Sequence, residues 1–399
     1  LRCTTPETDG VYGQSRVSVG IEGFQLPPVG ANTVLHHAEY VRRFSPYTAK
    51  SLHFYLITGY YLDPFTYQKV CLKELFMKRS TTHVLAILTG SLIATTAVAE
   101  DSSWKAIFAP LPDTASSSTN PANDAKIALG RSLYFDTRLS KDQKISCNSC
   151  HKLDTFGVDN EPTSPGHKGQ RGGRNSPSVY NAALHVTQFW DGRAADVEAQ
   201  ALGPILNPIE MAMPSEAVVL GRLKKDQKTV DAFKASFPGE ADPVTYKNLG
   251  QAIGAFERIL LTPSRFDDFL KGKEDALSAQ EKKGGELFVK TGCVACHNGA
   301  TIGGQMYQKL GLVKEYDTKD MGRFAVTKQE ADKKFFKVPS LRNVAKTGPY
   351  FHDGSVKTLD QAVSIMAEYQ LGKQLSKEEV TDIVAFLGSL TGDTSKYVK

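Results

Sequence analysis

Two pentapeptides constrain this chain more than anything else in it: Cys147-Asn148-Ser149-Cys150-His151 and Cys293-Val294-Ala295-Cys296-His297. Two cysteines separated by two residues and followed at once by histidine form an attachment site for c-type haem. Both sulfurs make thioether links and the histidine is the proximal iron ligand. A zinc site or a redox dithiol would use the same cysteine spacing. Neither needs histidine directly after the second cysteine, and redox motifs rarely come in such pairs. Haem of this kind is sandwiched between packed helices. The expected fold class is therefore mainly α, with two tandem cytochrome c-like domains, each binding one covalently bound haem c.

The methionines bear on where the folded part begins. All six lie at or after Met77. Met77-Lys78-Arg79 precedes an uncharged, mostly apolar run over residues 84–98, and Ala97-Val98-Ala99 stands just before Glu100. A basic start, a short apolar run and an A-x-A end are the three parts of a secretory signal peptide, expected over 77–99. That run is shorter than the ~20 residues that span a bilayer, so no membrane span is expected in the mature form. Residues 1–76, without methionine or clean periodicity, read as translated upstream sequence ahead of a misplaced start; a genuine extra region is the alternative. Removing residues 1–99 takes Cys3 and Cys71 with it and leaves four cysteines, all in the haem motifs. An exported chain whose cysteines all tether cofactor fits a bacterial periplasm. The remaining 39 basic and 37 acidic residues leave a net charge near +2, which gives no sign of a nucleic-acid partner.

Helices are expected over 124–135, 194–202, 244–271 with Pro263 marking the end, 359–369 and 377–390, and another before Cys293. The Ser/Pro-rich stretch from 100 to about 120 reads as a wrapping arm or linker carrying Trp104. Domains are expected over 100–265 and 266–399, with a return of the C-terminal tail to the first domain left open. Residues 154–178 are rich in Gly and Pro, and long loops of this kind are usually functional or mobile. The single histidine there, His167, is by default a solvated surface residue. Only five histidines lie beyond residue 99, however, and two are already proximal ligands. A second axial ligand on a flexible loop is one that can leave. Taken alone, Trp190 reads as core, Glu210 as a surface or helix-start acid, and Met366 as helix core. The second haem needs a sixth ligand, and Met366, Met306 and Met321 compete for that role on spacing alone.

Assembled, these residues resemble the bacterial di-haem cytochrome c peroxidases over essentially all of 108–393. The likeness rests on the two haem motifs together with Gly166-His167, Arg174-Asn175-Ser176-Pro177, Phe189-Trp190-Asp191-Gly192-Arg193, Gln200, Asn207-Pro208-Ile209-Glu210-Met211, Val338-Pro339-Ser340-Leu341-Arg342-Asn343 and Pro349-Tyr350-Phe351-His352-Asp353-Gly354. The resemblance implies that the N-terminal haem on His151 is the low-potential, peroxidatic one. It implies that the C-terminal haem, on His297 and Met366, is the high-potential one that receives electrons. A thioether ligand favours reduced iron and a second imidazole lowers the potential, in keeping with that division. By the same resemblance His167 caps the oxidised N-terminal haem and departs when the other haem is reduced. Glu210 is the acid–base residue, Gln200 positions peroxide or water, and Trp190 lies between the haems. Asn175, with the backbone carbonyls of Thr347 and Pro349, matches a calcium ligand set, and oxygen donors suit that hard cation. Relatives that oxidise protein side chains carry tyrosine in place of the methionine ligand, so Met366 argues against that activity.

The expectation is a periplasmic peroxidase, a homodimer like its relatives, that reduces hydrogen peroxide to water with electrons from a small cytochrome c or a cupredoxin. The rival from another class is a di-haem electron carrier without peroxidase activity, which would have no use for His167, Gln200 and Glu210. A peroxide sensor on the same scaffold is a third reading.

Overall fold

The computed structural model describes residues 104–398. The expected leader and upstream segment lie outside the described residues. In the first half the helices are α1 (Asp124–Tyr134), α2 (Cys147–Cys150), α3 (Val197–Leu206), α4 (Glu216–Leu223), α5 (Gln227–Ser236) and α6 (Tyr246–Glu257). In the second they are α7 (Arg265–Leu270), α8 (Ala279–Thr291), α9 (Phe324–Thr327), α10 (Leu359–Leu371), α11 (Lys377–Ser389) and α12 (Ser395–Val398). A two-stranded antiparallel ribbon, β1 (Tyr307–Lys309) and β2 (Phe335–Lys337), is the one sheet among the described residues, and short 3-10 turns lie between the helices.

Local sequence sets the ends of these helices. Ser278 and Ser376 open α8 and α11 with capping boxes to Glu281 and Glu379, each satisfying amide groups that a helix start leaves orphaned. Gly292 and Gly372 close α8 and α10 in the left-handed conformation, which glycine adopts without steric cost. One expected helix comes apart. The 244–271 stretch ends as α6 at Glu257, passes through a non-helical Leu260–Thr262 turn held by Asn181 and Tyr397, and restarts as α7. The helix expected from 194 starts at Val197 instead, because Asp196 accepts from the Ala199 amide as its cap.

Two hydrophobic cores lie within one compact unit. The first gathers α1, α3 and α6 around residues such as Leu133, Ile205, Leu249 and Phe256; the second gathers α7, α8 and α11 around Phe266, Phe288, Ile383 and Phe386. The first and last described segments each reach the other half. Trp104 stacks on Phe266 and Phe269 of the second core, while Tyr397 of α12 packs into the first. From Trp104 to Leu111 the expected arm lies on the second core, through Phe108 and the Leu111 amide on Asp267, and it then crosses to the first half, where Asn120 bonds Glu198 and the Gln251 carbonyl.

Each core is built on one helix crossing, and the two crossings repeat in detail. A Cβ on Gly130 of α1 would lie 1.9 Å from the carbonyl of Ala252 and 2.9 Å from the Cβ of Phe256. A Cβ on Gly284 of α8 would lie 1.9 Å from the carbonyl of Asp382 and 3.0 Å from the Cβ of Phe386. Glycine facing residues i and i+4 of the partner helix lets the two backbones touch, and neither carbonyl has room to retreat. Gly130→Ala and Gly284→Ala are each expected to cost about 1–3 kcal/mol or more through overpacking. Denaturant unfolding of the holoprotein checks this; an unchanged midpoint for either variant would show that its crossing is not tightly closed.

Candidate functional site

Both pentapeptides fold into a single tight turn. The amide of His151 donates to the carbonyl of Cys147 at 3.0 Å, and that of His297 to Cys293 at 3.0 Å. The four cysteines are free and partly exposed, so all four sulfurs are available for thioether links. Among the described residues no group of three or more His, Cys, Asp or Glu converges as a metal-binding set, which leaves a zinc reading without its further ligands.

The two histidines are prepared in the same way. His151 Nδ1 bonds the carbonyl of Pro177 at 2.9 Å, and His297 Nδ1 lies 3.3 Å from that of Ile302. Each bond puts the ring proton on Nδ1 and leaves Nε2 as the lone-pair donor, the tautomer an axial ligand needs. Burial pushes both imidazoles down, His297 to about 4, so each stays neutral. His297 opens on a cavity of about 200 Å³ between α8, α10 and α11. Met366 of α10 lines that cavity and neither Met306 nor Met321 does, so geometry separates the three candidates that spacing left equal. These residues fit a haem on the His297 side.

His167 departs from the ordinary loop histidine. Between Asp159 and Arg174 it is the one buried residue; its neighbours are exposed or half-buried. Its amide donates to the carbonyls of Ile209 and Glu210, at 3.0 and 2.7 Å. Its Nδ1 lies 3.1 Å from the carboxylate of Asp142, so here too Nε2 is the nitrogen left over. A Cβ on Gly166 would meet the Ile209 carbonyl at 2.1 Å, which is why glycine precedes the histidine where the loop rests on this turn.

The structure thus brings His167 and Glu210 together. Glu210 sits on a turn after α3, its amide bonded to the Asn207 carbonyl at 3.1 Å. Desolvation raises its carboxyl pKa, against the opposing charge of Arg193 and a hydrogen bond from Asn207. Its charge also acts on the thiol of Cys150, which puts it on the side of the first motif. Gln200 is half-buried on α3, and Pro204, four residues on, has no N–H to return to its carbonyl. No side-chain hydrogen bond joins Gln200 to Glu210.

Trp190 lines both the His297 cavity and a second cavity that contains Asn175, Thr347 and Pro349. Its indole N–H donates to the Asn175 carbonyl at 2.9 Å, and the Asn175 amide donates to the His352 carbonyl at 2.8 Å. The Asn175 side-chain amide donates to Glu161, leaving Oδ1 free; neither it nor the carbonyls of Thr347 and Pro349 accept a hydrogen bond from the described residues.

Sequence reasoning missed four groups. Asp142 is an ordinary exposed loop acid until the fold sets it against His167. His185 and Lys337 form a buried contact, 3.1 Å from Nδ1 to Nζ. Glu257 is buried beside Cys147 and Tyr134, and nothing in the apolar run around it set it apart from a surface acid.

The profile described as "Di-haem cytochrome c peroxidase" matches residues 124–275, and "Cytochrome c" matches 281–391. Cytochrome c551 peroxidase of Pseudomonas aeruginosa is 48% identical, over 72% of this chain and 85% of its own length. The Nitrosomonas europaea protein of the same name is 46% identical, over 77% and 92%. The chain belongs to the di-haem cytochrome c peroxidase family. It carries two haem c groups and is an oxidoreductase that acts on peroxide, and the electron-carrier alternative falls with that. Among solved structures, a MauG-like protein associated with microbial copper homeostasis aligns with a TM-score of 0.65 at 29% identity, covering 71% of this chain and 94% of that one. No helix among the described residues is long and apolar enough to cross a membrane.

Burial pushes Glu257 up to about 8, with the nearby charge of Glu198 adding to the rise. The folded protein therefore holds a proton there that the unfolded chain releases near pH 4.5, and stability falls as pH rises from about 4.5 to about 8. Glu257→Gln is expected to remove a few kcal/mol of that fall. Unfolding of both holoproteins at pH 5 and pH 8 checks this; equal pH slopes would contradict it.

Proposed function

We propose that this peroxidase works in a bacterial periplasm, exported by a leader at 77–99, and takes electrons singly from a small cytochrome c or a cupredoxin. Electrons arrive on the side of His297 and Met366, in a domain spanning 266–399, and leave towards His151, in a domain spanning 100–265. When bound at these two sites, haem supplies the redox iron and, on the His151 side, a place for peroxide. Every other step belongs to the chain.

The observation that carries this reading is the burial of His167 alone out of an exposed loop, with its amide on the peptide of Glu210. A cap held by one buried ring and a few backbone bonds is removable at modest cost, in contrast to a ligand on a packed helix such as Met366. Once His167 swings out, its space lies beside Glu210. That carboxyl, with its pKa raised by desolvation, takes the proton from one peroxide oxygen and returns it to the other. Gln200 orients the peroxide from α3. Trp190, in the wall shared by the two cavities, supplies an aromatic path between the redox centres.

Calcium fits the oxygen set of Asn175 Oδ1 and the carbonyls of Thr347 and Pro349, which have no donors of their own. Because Asn175 also bonds Trp190 and His352 through its peptide, an ion there would tie the His167 loop to the second core. A homodimer is proposed on the family resemblance alone.

Glu210→Gln is the direct test of the acid–base role. It is expected to lower peroxide turnover by about 10²–10⁴-fold while leaving both haems attached. Turnover near wild type would sink the assignment.

A further inference from the structure

On the wall between the cavities a buried lysine has no carboxylate partner among the described residues, and the histidine beside it has a ring nitrogen with no partner. Lys337, the last residue of β2, lines both cavities and is only 6% exposed. It is the one Asp, Glu, Lys or Arg side chain in the lining of the His297 cavity, and neither cavity contains an aspartate or glutamate. Its backbone amide donates to the Trp190 carbonyl at 2.8 Å, which fixes where the side chain starts. Its Nζ donates to Nδ1 of His185 at 3.1 Å, a neutral acceptor. That bond puts the His185 proton on Nε2, and Nε2 is buried without a partner.

The neighbouring cations are treated differently. Arg174 is bound by Asp191 and Asp320, and Arg342 by Asp267. Among the described residues Lys337 has no carboxylate within ion-pair distance. Burial lowers its pKa to about 8 with no charged group opposing the shift. An ammonium ion buried with no counter-charge loses more hydration than one hydrogen bond to imidazole returns. Among the described residues no anion stands here, which leaves that place to a bound group.

We propose that Lys337 is the counter-charge of a propionate of the C-terminal haem, aimed by His185, and that its charge holds the potential of that haem up. This rests on the two-haem reading but not on the peroxide chemistry. Haem brings two carboxylates into a mostly apolar cavity, and Lys337 is the one lysine or arginine in its lining. A positive charge beside the group favours the form with one more electron. Lys337 is thus a positioning residue for the electron-accepting site.

The test is spectropotentiometry of the full holoprotein with Lys337→Met, Lys337→Arg and His185→Phe, with haem content and the methionine–iron charge-transfer band recorded in each. The expected result is two haems per chain and a methionine-ligated C-terminal haem whose midpoint falls in Lys337→Met. The N-terminal midpoint stays put, Lys337→Arg recovers most of the fall, and His185→Phe gives a smaller fall. An unmoved C-terminal midpoint in Lys337→Met, or a shift confined to the N-terminal haem, overturns the proposal. Should Lys337→Met fail to accumulate, a wild-type midpoint in His185→Phe overturns it instead. Peroxide turnover is scored separately. A midpoint shift in a protein that consumes no peroxide would remove the peroxidase mechanism and leave the role of Lys337 standing.

Discussion

The bond on which most of this structure depends is the one from His151 Nδ1 to the carbonyl of Pro177. It sets the tautomer and the angle of the ring, and so decides which nitrogen is offered as a ligand. Its acceptor belongs to the same long loop that carries His167 and Asn175. One segment therefore supports the proximal ring, supplies the candidate cap and carries the carbonyl that receives the Trp190 indole. A movement of that loop acts on every one of these at once. His297 is held differently: its ring faces the backbone of Ile302, five residues on, and of Pro339, neither on the His167 loop, and its candidate partner Met366 sits on a packed helix. The asymmetry between a loop-held and a helix-held site is what the proposed division of labour needs.

Cations are distributed on the same principle. Arg174 and Arg342 close ion pairs that tie separate segments together, and buried pairs of this kind fix geometry more than they add stability. Lys337, unlike these two, has no carboxylate partner among the described residues, and the proposed counter-charge is a group the chain does not make. Trp104 on the second core and Tyr397 in the first further couple the two halves, so neither can shift without disturbing an aromatic contact in the other.

Much of this was legible in the sequence because the chemistry is local. The two pentapeptides named the cofactor, and Ser278, Glu281 and Gly292 marked the ends of α8. Gly130 and Gly284 stood inside helices where glycine is unfavourable by about 1 kcal/mol, a signal of close approach that was there to be read. Other features arise only from tertiary position. The break after Glu257 was hidden because Leu260 and Leu261 continue the apolar pattern while their backbone bonds go to Asn181 and Tyr397. That Met366, and neither Met306 nor Met321, lines the His297 cavity depends on how the helices pack. Asp142, His185 and Lys337 are unremarkable residue types whose partners lie 25 to 152 positions away in the chain.

The central claim is that His167 is a removable cap over the site that meets peroxide. The most direct measurement is the EPR and visible spectrum of the holoprotein with calcium, first fully oxidised and then half-reduced, followed at once by peroxide. The prediction is two low-spin haems when oxidised, a high-spin five-coordinate haem on half-reduction, and rapid loss of peroxide. Two haems that stay low-spin while peroxide persists would contradict it.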